Sequence, residues 1–128
     1  MWLDIFKCNP IVPLIEHNDK AVSLAAQRDL LDKKVSSQSL WQLTEPKNIL
    51  RKQNKNGSWE YPGAKEHIRT KENYNQFETY RNLGVLIEKF GFTNQHSAIQ
   101  NAAEYLFSFQ TKEGDFRGIY GNQYTPNY

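Results

Sequence analysis

Several groups of residues have types and spacings that could do chemistry. Asp29 and Asp32 stand three positions apart, a spacing that would set two carboxylates on one helix face for general acid–base work. Glu78 and Arg81 repeat that spacing with opposite charge, beside Tyr74, Phe77 and Tyr80, where an ion pair among rings could orient a ligand in a cavity. Cys8, His17, His67 and His96 are the sulfur and imidazole ligands, but their separations fit no zinc pattern, so no metal site is expected. The stretch GDFRGIYGNQYTPNY sets Arg117, Tyr120, Asn122 and Tyr124 among glycines, a composition suited to a ligand-facing loop. No Lys-Ser/Thr follows those glycines, which argues against a phosphate cradle. Each group also has a plainer reading: Asp29 and Asp32 as a solvated helix face, Glu78–Arg81 as a surface pair, the last loop as packing. Ser97 lies next to His96 without a third group to complete a triad.

One further pattern occurs twice. ILRKQNKNGSWEY, residues 49–61, holds Gln53, Gly57 and Trp59 as Q-x3-G-x-W, and LFSFQTKEGDF, residues 106–116, holds Gln110, Gly114 and Phe116 as Q-x3-G-x-F. The equivalent glutamines are 110 − 53 = 57 positions apart, and Ile49 and Leu106 stand four before them. A glutamine at a helix C-terminus offers two N–H donors to carbonyls that lack intrahelical partners. The glycines supply the positive φ of a reversal, and the aromatic rings an apolar plate over the helix end. The chemistry of this motif is structural rather than catalytic.

The elements that must carry these residues read as helices. Asn18 or Asp19 caps a helix over 20–34, with Val22, Ala25, Ala26 and Leu30 on its apolar face. Thr44 or Glu45, with Pro46 in the first turn, opens a second over 45–53 that runs into the first motif. The third covers 74–90 and carries Phe77, Tyr80, Leu83, Leu86, Ile87 and Phe90, with Gly91 as its stop. Gly84 inside it is costly unless another helix crosses closely there. Thr93 or Asn94 opens the fourth over 95–109, with Ile99, Ala102, Ala103 and Leu106 inward. A tight GFTNQ connection makes the third and fourth an antiparallel hairpin. No run alternates as a strand does, so the fold class is all-α.

Composition narrows the function classes. Hydrophobic residues make up 38% of the 128, and net charge is +2, too mild for nucleic acid or an anionic membrane to be the partner. Aromatics at 13% must therefore supply much of the burial. Asp4, Lys7, Pro10 and Pro13 break the apolar N-terminal stretch, so neither a signal core nor a transmembrane segment is expected. The lone Cys8 points to a reducing compartment and hence a cytoplasmic location.

The two motifs resemble the QW repeats of terpenoid cyclases, the squalene- and oxidosqualene-cyclase class and its prenyltransferase-repeat relatives. The stretches RDLLD at 28–32, NGSWEYPG at 56–63, FETYRNLG at 77–84 and FSFQTKEGDFRGIYGNQYTPNY at 107–128 also look like small prokaryotic prenyltransferase/squalene-oxidase-repeat proteins. The resemblance implies helical hairpins forming an open segment of an α/α toroid. Residues 1–44 would be N-terminal capping helices, and 45–128 two repeats, truncated before the next inner helix. It implies an isoprenoid or other apolar small molecule as ligand, with Glu78, Arg81, Arg117, Tyr120, Asn122 and Tyr124 facing it. The family's DxDD and DCTAE-type acid motifs and the DDxxD diphosphate–metal motif are all missing. No catalytic residue, cofactor or independent catalysis is therefore expected. The alternative is a noncatalytic helical-repeat binding or scaffold module, and an open repeat would leave apolar faces that favour self-association.

Overall fold

A computed structural model describes residues 2–63 and 71–116, with side chains of the helix at 71 described from Tyr74 onward. Among these residues the chain is predominantly helical and forms no strand. An antiparallel bridge joins Gln110 and Phe116.

After a 3₁₀ turn at Trp2–Ile5, α1 (Ile11–Ile15) and α2 (Lys20–Asp29) form a small hairpin. Asp19 caps α2 by accepting from the Ala21 N–H at 2.9 Å, and that bond holds its carboxyl below the usual carboxylate range. Ser23 Oγ reaches back to the Ile15 carbonyl at 2.6 Å. The expected run to residue 34 stops at Asp29. Asp32 takes a φ of 52°, and Lys33 N–H closes on the Gln27 carbonyl at 3.1 Å, which turns the chain away. The buried face of α2 is also rotated from expectation. Ala21 and Ala26 are buried and Leu24 packs on the core, whereas Leu30 is exposed.

A 3₁₀ turn at Ser37–Gln42 buries Leu40 and leads into α3 (Thr44–Arg51), where Pro46 sits in the first turn as the sequence predicts. The helix opens at Thr44, one of the two expected starts, and Leu43 before it is the capping residue, without a side-chain bond. Next comes α4 (Lys71–Gly84), continued by one π-helical stretch at Val85–Lys89. The chain reverses at Gly91 and enters α5 (Ser97–Phe107), which packs back on α4. The cap of α5 is His96, whose Nδ1 accepts from Ala98 N–H at 3.1 Å, displacing the expected Thr93 or Asn94.

The core lies where these elements meet. Leu40, Trp59, Leu86, Phe90, Phe92, Ile99 and Ala102 form its centre, with Trp41 stacked on Phe92 at 4.9 Å between ring centroids. Ser37 Oγ and Trp41 Nε1 both donate to the Gly91 carbonyl, pinning the α4–α5 reversal to the 3₁₀ turn. The apolar residues of α4 and its π-helical continuation divide between core and surface. Leu86 and Phe90 are buried, but Phe77, Tyr80 and Ile87 are exposed, and the buried positions of the α-helical part are polar: Gln76, Glu78, Thr79 and Asn82. Nor, among the described residues, does any helix cross at Gly84, where an added Cβ would meet no atom within 4 Å.

Candidate functional site

The two glutamine motifs fold into the same hydrogen-bonded loop. Gln53 N–H bonds the Leu50 carbonyl at 3.1 Å, and Gln110 N–H the Phe107 carbonyl at 3.1 Å. Asn54 N–H closes on the Ser58 carbonyl at 2.8 Å, as Thr111 N–H does on that of Asp115 at 2.8 Å. The glutamine side chains donate to the carbonyls of Gly57 and Gly114 at 3.0 and 2.9 Å. Across each loop a side-chain bond joins Asn54 Nδ2 to Ser58 Oγ, or Thr111 Oγ1 to Asp115 Oδ1. Both glycines have positive φ, 89° and 92°, as the motif predicts.

The loops differ in what they touch. Gln53 Nε2 also donates to the Ala98 carbonyl at 2.9 Å, joining the loop to the first turn of α5. The α3 carbonyl of Ile49 is met by the Trp59 indole N–H at 2.7 Å, and Trp59 N–H donates to Thr79 Oγ1 on α4 at 2.9 Å. The division of labour thus corrects the expectation that glutamine serves the helix carbonyls: tryptophan does so, while glutamine bonds its own loop and α5. In the second loop the Phe116 side chain has no N–H to offer, and the residue is half-buried, 5.9 Å from Phe107 between ring centroids.

Trp59 and α4 also form one wall of a cleft of about 950 Å³ between α3, the 59–63 loop and α4. Glu78 and Arg81 line it together, so the structure brings this predicted pair to a cavity wall. Their ion pair is intrahelical. Arg81 Nη2 and Nε donate to the Glu78 carboxylate at 2.6 and 3.1 Å, and Asn82 Nδ2 adds a third bond at 3.2 Å. The Glu78 carboxylate beside it raises the Arg81 pKa further above its ordinary value. The pair is asymmetric: the Glu78 side chain is 7% exposed and that of Arg81 57%, so the guanidinium carries the solvent-facing charge. Asn48, Asn54 and Asn82 supply neutral polar edges to the cleft, and Ile49, Tyr61, Pro62 and Val85 its apolar surface. Glu45, Glu60 and Glu78 against Lys52 and Arg81 leave the lining one charge negative, 2 − 3 = −1.

The other candidates do not join this site. Asp29 is engaged by the neighbouring Arg28 at 2.6 and 2.8 Å, and its pKa is lowered by that contact. Arg117, Tyr120, Asn122 and Tyr124, like His67, lie outside the described residues. Among the described residues no group of three or more His, Cys, Asp or Glu side chains is placed to hold a metal ion. No helix there is long and apolar enough to cross a membrane. Comparison of the chain with protein-family models, with curated proteins and with solved structures finds no match.

Proposed function

We propose that the chain is built from two helical-hairpin units of the terpenoid-cyclase-like kind and binds an isoprenoid-type molecule in the α3–α4 cleft without transforming it. The observation that carries this reading is the shared hydrogen-bond pattern of the two glutamine loops, repeated at an offset of 57 residues along the chain. Repeated units that share packed faces leave grooves between hairpins, and the cleft lies in such a groove. Its apolar side suits a prenyl chain, while Arg81 and the three asparagines suit a hydroxyl or carbonyl head. The net negative lining disfavours a diphosphate.

Isothermal titration of the full chain with farnesol and with farnesyl diphosphate tests this. Farnesol should bind one to one, and the diphosphate at least about tenfold more weakly, a difference of about 1.4 kcal/mol. Neither compound should be consumed. Absence of farnesol binding would reject the isoprenoid reading in favour of a scaffold module. Metal-dependent release of diphosphate above a boiled control would reject the noncatalytic one.

A further inference from the structure

On the opposite side of α4 from the cleft, Gln76, Tyr80 and Leu83 face Ala103 and Leu106 of α5 across a pocket of about 250 Å³. Among the described residues, none that lines this pocket is charged. Gln76 is 1% exposed, yet among the described residues neither its Nε2 nor its Oε1 has a hydrogen-bond partner. A buried polar group left unpaired costs about 1–3 kcal/mol, and folded chains retain few of them. A leucine at position 76 would fill an apolar wall without that cost. The amide is therefore unsatisfied, next to a pocket that can admit its partner.

We propose that this pocket binds an extended peptide segment. One large apolar side chain of the peptide enters it, while the Gln76 amide pairs with a backbone N–H and C=O. The carboxamide presents a donor and an acceptor side by side, which matches the N–H and C=O that one extended residue turns to the same edge. Pairing backbone polar groups while seating a side chain in a pocket is a general mode of peptide recognition. Size favours a side chain over a whole ligand, since small-molecule sites commonly begin at about 300 Å³. The rim is open, with Tyr80 40% and Phe107 61% exposed, so a chain can pass over the pocket and leave it. This inference does not depend on the isoprenoid reading, because the pocket and the cleft have no lining residue in common.

The test follows the Gln76 side-chain NH₂ signals of the full chain by ¹⁵N-resolved NMR. Three probes are used: N-acetyl-phenylalaninamide, methyl 3-phenylpropanoate, which keeps the ring but has no N–H, and the peptide acetyl-Ala-Phe-Ala-amide. The amide should move the Gln76 signals and bind about tenfold more tightly than the ester. The peptide should bind at least as tightly as the amide. Gln76→Leu should bring amide and ester affinities within about twofold. Equal affinity of the wild-type chain for amide and ester, or shifts that spare Gln76, would overturn the proposal even if Gln76→Leu does not fold. A peptide weaker than the single amide would overturn the assignment to an extended chain. Farnesol binding without amide binding would overturn this inference and leave the cleft reading standing.

Discussion

Trp59 spends both of its nitrogens on other elements, the indole N–H on the Ile49 carbonyl of α3 and the backbone N–H on Thr79 of α4. At 2% exposure it also joins the core cluster that holds Leu86 and Ala102. Trp59→Ala should therefore cost roughly 3–5 kcal/mol, from lost burial and the cavity left behind. Trp59→Phe keeps most of the ring but gives up the indole bond, and should cost about 1–2 kcal/mol, since the Ile49 carbonyl still accepts from Lys52 N–H. Phe116→Ala, at the matching position of the second loop, should cost less than Trp59→Ala because that ring is only half-buried. Urea unfolding of the three variants measures the order. Equal losses at 59 and 116 would mean that the first loop is not the anchored one.

At the scale of the element, the two loops share a backbone and differ in their neighbours. A Cβ on Gly57 would stand 2.1 Å from the Asn101 carbonyl oxygen of α5, whereas one on Gly114 would find its nearest atom, Gln110 Nε2, at 3.9 Å. Both replacements bear the left-handed strain of about 1–2 kcal/mol. Only Gly57→Ala must also push a helix backbone aside, so it should lower stability well beyond that figure, while Gly114→Ala should stay near it. Thermal unfolding that finds the two variants equal would show that α5 yields freely. This contrast explains what the sequence made legible. The Q-x3-G-x-aromatic spacing specifies a local loop, and local hydrogen bonding is readable from residue types. The helices were readable too, from periodicity, but their ends and faces less so. Asp32 stopping α2 and His96 capping α5 are choices among weak signals, for neither residue is a leading one at its position. The Glu78–Arg81 pair was visible as spacing. Its place on a cleft wall depends on how α3 and the 59–63 loop pack, which no local pattern encodes. Gln76 was missed altogether, because nothing in an i, i+4 pattern distinguishes a buried glutamine from an exposed one.

For the molecule as a whole, the turned face of α4 has the largest consequence. Phe77, Tyr80 and Ile87 are 40%, 40% and 43% exposed; Phe77, Tyr80 and Gly84 follow the i, i+3, i+7 spacing of one α-helical stripe, and Ile87 stands in the π-helical stretch that continues it. Periodicity assigns such a stripe to the interior, yet here Tyr80, Gly84 and Ile87 line a surface groove of about 510 Å³. With no Cβ at its middle, the stripe allows a second helix to approach closely. A copy of α4 crossing at Gly84 would bury the same apolar residues on both partners, as a two-fold contact requires. The chain should therefore self-associate in sedimentation equilibrium. Gly84→Ala separates this from general stickiness, because it acts in opposite directions on the two quantities. The alanine stabilises the helix by about 1 kcal/mol, raising the melting temperature by about 4 °C, and blocks the close crossing. The expected result is a more stable chain that associates less. A monodisperse monomer for the unaltered chain would end the idea outright. A stabilised Gly84→Ala variant that associates as before would move the contact off α4, toward the exposed Phe107 at the end of α5.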